Sequence, residues 1–320
     1  MTLSFSLPRI ALGTGPLGSM AHAFGFAVSD DDAYRTIQHA LDAGVTMIDT
    51  APFYGNGVAE TRVGHALRGI PRGRYLLSTK VGWLVQEVGK VGAGMRSYSR
   101  DAILRSIEAS QKRLGIDVFD MAHIHDPENG DYRREIMSEG YPTLLDLKRQ
   151  GVIRAVGAGL NQTAFLADYA QHAPLDVALL ANRYTLLEQE PMEEAFPLAM
   201  KRGIRMMAGG VFNSGILATG GVKGARYYYQ PAPEPVRRLA RLIEGVCAKH
   251  DVSLKAAALQ FVAAHPAIST LVLGMAKPAE IDENLALLDA SIPAAFWAEL
   301  KARGLIEAGA PTPAPIESPA

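Results

Sequence analysis

Eight short apolar runs, separated by segments of helical periodicity, constrain the possible folds of this chain more than any other feature. The runs lie at 9–13, 45–49, 75–80, 118–123, 152–157, 177–180, 204–208 and 269–273. Helical patterns cover 30–43, 60–67, 100–114, 142–150, 163–170 and 192–202, and two more follow at 235–250 and 253–265. Ser29 and Asp30 suit the start of the first of these, and Gly151 suits the stop after 142–150. Strand–helix alternation calls for parallel strands joined by right-handed crossovers. Eight such units in 320 residues predict an α/β chain closed as a single-domain (β/α)8 TIM barrel over 1–309. The Pro/Ala-rich segment 310–320 reads as a mobile tail. A doubly wound open sheet is the alternative. It lacks support at its usual phosphate-binding turn, because Gly13-Thr14-Gly15-Pro16-Leu17-Gly18 has glycine spacing but no immediate helix after it.

Bulk composition narrows the partners. At 48% hydrophobic and 20% charged residues the chain can bury a large core. A net charge of −1 gives no electrostatic case for nucleic acid or an anionic membrane surface. No apolar run approaches the roughly 20 residues that span a bilayer, and MTLSFSLPRIALGTG lacks the basic and apolar regions of a signal peptide. The one cysteine, Cys247, excludes an intrachain disulfide, fits a reducing cytoplasm, and reads as an inert buried thiol. The expected partner is a small molecule, and the expected state a monomer or small homo-oligomer.

Chemistry-bearing residues sit where the strands end. Asp49 closes the second run, Lys80 the third, and His123-Ile124-His125-Asp126 follows the fourth; Tyr54 lies in the loop after Asp49. In a parallel barrel these ends surround one mouth, and adjacent strands are about 4.8 Å apart. A tyrosine phenol titrates near 10, and a neighbouring ammonium is expected to lower that value. Lys80 holds its charge in a dry pocket if Asp49 pairs with it, while His125 can orient a substrate oxygen. Each residue alone has a bland reading: a loop cap, a packing aromatic, a solvated lysine, a structural histidine. Their convergence on neighbouring strand ends favours acid–base chemistry on a carbonyl or alcohol.

The segments DAGVTMIDTAPFYGNGVAETRVGHAL, LLSTKVG, RSIEASQKRLGIDVFDMAHIHDPE and LKRQGVIRAVGAGLN occur in order and strongly resemble the aldo-keto reductase family. The resemblance spans 7–290. It implies a (β/α)8 barrel that binds a nicotinamide dinucleotide without a Rossmann domain, with a catalytic tetrad on Asp49, Tyr54, Lys80 and His125. IHDPE, GVFNSGILATG, YYYQPAPEPV and CAKHDVSLKAAALQFVAAHPAISTLVLG further resemble the aldose 1-dehydrogenase branch, which includes L-fucose, D-threo-aldose and pyridoxal 4-dehydrogenases. That branch implies NAD-dependent oxidation of a cyclic hemiacetal to a lactone; pyridoxal oxidation or general aldehyde and ketone reduction is the alternative.

The same resemblance implies cofactor contacts at Asn161, Asn182, Gly210, Phe212, Asn213, Ser214, Leu217, Gly274, Lys277, Glu280 and Asn284. It implies substrate contacts at Phe24, Tyr54, Trp83, His125 and Tyr228, with the rim made by loops near 22–26, 83–98, 128–141 and 227–233. The family's nicotinamide-stacking aromatic maps to Gly209-Gly210, which leaves Phe212 as a substitute. NAD is expected over NADP, because Gly274-Met275 replaces a Lys-Ser pair and Glu280 replaces an arginine; a carboxylate repels a 2′-phosphate and accepts from a ribose hydroxyl. Three rivals come from other classes, one of them a non-catalytic nucleotide-sensing subunit, which the intact tetrad disfavours. A metal-dependent hydrolase could use His123 and His125 but finds no further ligands at later strand ends, so no metal is expected. A Schiff-base lyase could use Lys80, against which its pairing with Asp49 argues.

Overall fold

A computed structural model describes residues 3–90 and 92–314, and in it each apolar run forms a strand. The barrel strands are β1 (Ile10–Gly13), β2 (Met47–Asp49), β3 (Leu76–Val81) and β4 (Phe119–His125), then β5 (Ile153–Leu160), β6 (Val177–Ala181), β7 (Arg205–Gly209) and β8 (Ile268–Gly274). All pair in parallel with their sequence neighbours, and β8 returns to β1 with Gly274 opposite Gly13. The barrel is therefore closed, and among the described residues there is no doubly wound sheet.

Alternation along each strand separates two cores. Ala11, Met47, Met121, Ala155, Val177, Leu179, Met207 and Val272 form the cluster inside the barrel. The larger cluster fills the layer between strands and helices. Helix Asp30–Asp42 shows how the sequence seats this layer. The Ser29 hydroxyl accepts from the Asp32 N–H, three aspartates occupy the first turn, and Ala33, Ile37, Ala40 and Leu41 face inward. Helix Arg100–Leu114 repeats the scheme with Ser99 as cap and ends at left-handed Gly115.

Several boundaries differ from expectation. The helix expected at 192–202 is a 3-10 turn at Glu190–Met192 followed by an α-helix at Ala195–Lys201. Pro197 lies in that first turn, where its missing N–H has no partner to lose and its ring bars helix further back. β4 and β5 run further than the expected 123 and 157, which puts His125 and Gly159 on strands. Helices Pro278–Leu288 and Ala294–Ala302 were not anticipated, nor were two small hairpins above the mouth, Trp83–Val85 with Gly94–Arg96 and Arg226–Tyr227 with Gln230–Pro231. Of the expected tail, Ala310 is 1% exposed and packs on the core, while 315–320 lie outside the described residues. Cys247 is buried, and burial raises its thiol to about 12.

Candidate active site

The parity set by the inner cluster carries directly to the mouth. Two residues beyond Met47 stands Asp49, and two and four beyond Met121 stand His123 and His125. On the other side the inward positions at the strand ends are Gly159, Ala181, Gly209, Gly274 and Gly13. The mouth is thus lopsided: β2 to β4 contribute functional side chains, while β5 to β8 and β1 contribute almost no side-chain volume.

On the crowded side, Lys80 Nζ donates to Asp49 Oδ2 at 2.7 Å and to the Thr50 carbonyl at 2.9 Å. The Ser78 hydroxyl donates to Asp49 Oδ1 at 2.9 Å, so both carboxylate oxygens are satisfied. Lys80 and Asp49 are each 1% exposed. This is a dry ion pair whose members have other hydrogen bonds, the condition under which burial of charge is tolerated. The same Nζ lies 4.7 Å from the centroid of the Tyr54 ring. The His125 ring meets Tyr54 edge-on at 5.8 Å between centroids and Phe53 at 5.9 Å. All four expected residues are therefore neighbours.

One expectation about them is overturned. The Tyr54 phenol is not shifted down by Lys80; burial holds it well above its ordinary 10, and the Asp49 charge adds to the rise. The lysine charge is spent on the aspartate 2.7 Å away, so desolvation of the phenolate dominates. His125 is held down to about 4 by burial, with the Lys80 and Arg96 cations acting in the same direction, so its imidazole is neutral at pH 7.

Residues outside the expected tetrad fix this geometry. The Tyr98 hydroxyl donates to the His125 carbonyl at 2.5 Å, and Arg96 Nη1 donates to that carbonyl at 2.9 Å and to the Asp126 carbonyl at 3.1 Å. Asn56 Nδ2 donates to the carbonyls of Glu87, Lys90 and Ala93, while its Oδ1 accepts from Trp83 Nε1 at 2.9 Å. Trp83 stands edge-on to Phe53 at 5.1 Å, forming an aromatic wall beside Tyr54. A signal for Asn56 existed in Gly55-Asn56-Gly57, a turn sequence with left-handed φ at all three positions.

The open side fits a nicotinamide dinucleotide. Asn182, after β6, and Asn213, after β7, are buried, and each has an Oδ1 without a hydrogen-bond partner. Such acceptors suit the N–H groups of a carboxamide. Asn213 Nδ2 donates to the Asn182 carbonyl at 3.1 Å, and a Cβ at Gly210 would collide with the Asn182 amide. Ser214 has φ +58 and holds the second hairpin through its hydroxyl. Phe212 is partly buried against the outer core.

Other expected contacts are less free. Asn161 Nδ2 is committed to Asp126 Oδ1 at 2.7 Å. Leu217 is a correction: its side chain is fully buried in the core and its N–H is bonded to the Phe212 carbonyl, so neither is available to a ligand. Gly274 ends β8, Lys277 caps helix Pro278–Leu288, and Glu280 and buried Asn284 lie one turn apart on that helix. Of the expected substrate residues, Phe24 packs edge-on against Tyr229 at 5.8 Å. The Tyr228 hydroxyl donates to the Asn182 carbonyl at 3.3 Å beneath the Arg183 guanidinium.

His123 lies one layer deeper. It is fully buried, neither ring nitrogen has a partner, and burial holds it down to about 4. Among the described residues no group of three or more His, Cys, Asp and Glu side chains is arranged to hold a metal ion, and no helix is long and apolar enough to cross a membrane.

Comparison with known proteins agrees with this geometry. The profile of the Aldo/keto reductase family matches residues 9–303. A D-threo-aldose 1-dehydrogenase from Pseudomonas sp is 34% identical over 326 aligned residues, covering 96% of this chain and 96% of that protein. A pyridoxal 4-dehydrogenase from Microbacterium luteolum is 33% identical over 330, covering 94% and 95%. Among solved structures, a holo-form aldo-keto reductase from Bacillus halodurans superposes with a TM-score of 0.77 at 23% identity, covering 99% of this chain and 98% of its own.

Proposed function

The chain belongs to the aldo/keto reductase family, and from that membership we propose that it is an NAD-dependent dehydrogenase oxidising the C1 hydroxyl of a cyclic aldose to a lactone. The observation that carries this reading is the Asp49–Lys80 ion pair at 2.7 Å with its ammonium 4.7 Å from the Tyr54 ring and neutral His125 beside it. A nicotinamide dinucleotide, when bound, supplies the hydride acceptor. Asn182 and Asn213 would hold its carboxamide, with the small residues of β5 to β8 and β1 leaving room for the ring.

The side chains then divide the work. His125, neutral and anchored through its carbonyl, donates an N–H to the substrate oxygen and aims it at Tyr54. In oxidation the C1–H bond breaks with its electron pair leaving as hydride, the C=O bond forms, and the hydroxyl proton passes to the Tyr54 oxygen, which enters this step as phenolate. In reduction Tyr54 returns that proton. Lys80, fixed by Asp49, sets its ammonium against the Tyr54 ring at 4.7 Å and so helps to position the phenol. Burial raises the phenol, so the base form that oxidation uses grows with pH, while the acid form that reduction uses is present throughout the neutral range.

NAD preference is supported at the N-terminus of helix Pro278–Leu288. Such a terminus attracts phosphate, but Glu280 sits in the first turn and its carboxylate accepts from the Ala276 N–H at 2.7 Å. A second anion there meets repulsion. The reading extends to a small-molecule enzyme of the cytoplasm, with its single thiol buried.

NADH absorbance across L-fucose, D-arabinose, L-galactose, L-xylose, D-glucose and pyridoxal tests the proposal. Turnover of at least one aldose, with kcat/KM higher for NAD than for NADP, is the expected result. Turnover of pyridoxal alone would replace the aldose with the substrate named for the second relative. A kcat/KM for NADP equal to or above that for NAD would remove the cofactor preference.

A further inference from the structure

The hairpin Arg226–Tyr227 with Gln230–Pro231 has a two-residue turn, Tyr228-Tyr229, in which both residues have left-handed φ, +47 and +62. A two-residue hairpin turn of type I′ requires this backbone and usually uses Asn-Gly or Gly-Gly, because a Cβ makes the conformation costly. Two tyrosines are an expensive choice for a surface turn. Strain of this kind persists where surrounding contacts impose it, and it clusters at functional sites.

Contacts hold the turn across the mouth. On the β6–β7 side, the Tyr228 hydroxyl donates to the Asn182 carbonyl at 3.3 Å, and the Tyr229 N–H donates to the Ser214 hydroxyl at 2.9 Å. On the β1 side, Arg226 Nη2 donates to the His22 carbonyl at 3.1 Å, and the Tyr229 ring meets Phe24 edge-on at 5.8 Å. Tyr229 thus bridges from the loop after β7 to the loop after β1. Burial raises the Tyr229 phenol, the Asn182 side chain acts against that rise, and the charge at Tyr229 adds to the rise at Tyr54. The second aromatic group, Phe53 with Trp83, stands on the loops after β2 and β3.

We propose that Tyr229 is a specificity-determining residue of the reaction at Tyr54, forming with Phe24 one of two aromatic walls that select a ring-shaped substrate. A pyranose or a heteroaromatic ring has two faces that pack on aromatic carbon and an edge of polar groups that reach Tyr54 and His125. An open-chain aldehyde uses neither wall. β7 ends at Gly209 with Gly210 after it, and Phe212 is partly buried against the outer core, so the strained turn supplies aromatic surface on this side. This inference rests on the assignment of Tyr54 as the proton-transfer group.

The test compares wild type with Y229F, Y229N and Y229A, using the best ring-shaped substrate of the screen, propanal reduction by NADH, and NADH binding measured by fluorescence. Y229N keeps the left-handed turn, since asparagine tolerates that backbone. For Y229N and Y229A we expect KM for the ring substrate to rise about tenfold, a magnitude typical of one lost aromatic contact. We expect kcat within about twofold, and propanal kcat/KM and the NADH Kd likewise. Y229F, which keeps the ring, should retain most of the ring-substrate affinity. An unchanged KM in Y229N, or a loss matched by weaker NADH binding, would overturn the proposal. If wild type oxidises no aldose, the aldose reading fails while the comparison proceeds with pyridoxal or benzaldehyde as the ring.

Discussion

Tyr54 carries a proton whose departure its surroundings resist. Burial and the Asp49 charge hold the phenol well above 10, and Lys80 offsets little because its ammonium is already bonded to Asp49 and Thr50. The sign follows directly: the acid form predominates below the raised value, and the base form grows about tenfold per pH unit. We predict that kcat/KM for NAD-linked oxidation rises with pH through at least 9, while carbonyl reduction stays level from pH 6 to 9. A rise in oxidation that levels off near pH 7 would contradict this, pointing to a histidine base. His125 gives no break near pH 7, because burial holds its titration down to about 4. Its neighbours Arg96 and Tyr98, like Tyr229, escape sequence reading for a common reason. They act through backbone carbonyls or across distant loops, and no spacing rule registers that. Asp49, Lys80, His125 and Tyr54 are legible because strand ends are.

At the scale of elements, the loop after β1 and the loop bearing Tyr54 are locked by two glycines. A Cβ on Gly18 would stand 2.7 Å from the Tyr54 carbonyl carbon, and one on Gly55, whose φ is +63, would strike the Gly18 backbone. Gly13 to Gly18, which mimics a phosphate-binding turn in sequence, therefore serves close packing: it runs into a 3-10 turn at Pro16–Gly18 against the Tyr54 loop. Gly18→Ala should displace Tyr54 by a few tenths of an ångström or more, costing about 1–3 kcal/mol of stability as overpacking does and lowering kcat about tenfold or more. Wild-type kcat in that variant, measured alongside its melting temperature, would show the lock to be dispensable. The strands were legible from apolar runs, whereas the two rim hairpins were not, because pairs of two- or three-residue strands leave no periodicity.

Across the whole molecule, three buried histidines tie stability to pH. His123, His125 and His265 are each held down to about 4 by burial, below the ordinary 6.5. The unfolded chain binds protons on these groups below pH 6.5 while the folded chain resists until about 4. Stability is therefore lost as pH falls through that window, by at most about 1.4 kcal/mol per pH unit for each histidine. Urea unfolding at pH 7, 6, 5 and 4.5 should show this decline, and His123→Met should make it shallower by about 1 kcal/mol per unit. An identical slope in the variant would mean that His123 is protonated in the folded barrel. The closed barrel itself was readable from eight alternations, and the lopsided mouth follows from the parity of glycines and alanine on one side against Asp49, Lys80 and His125 on the other.

The most direct measurement is single-turnover hydride transfer in Tyr54→Phe, read by NADH absorbance beside NADH binding in the same protein. Loss of the phenolic proton should lower the rate at least about 100-fold while the cofactor Kd stays within about twofold. A rate near that of wild type with cofactor bound would remove Tyr54 from the chemistry, and with it the proposed function.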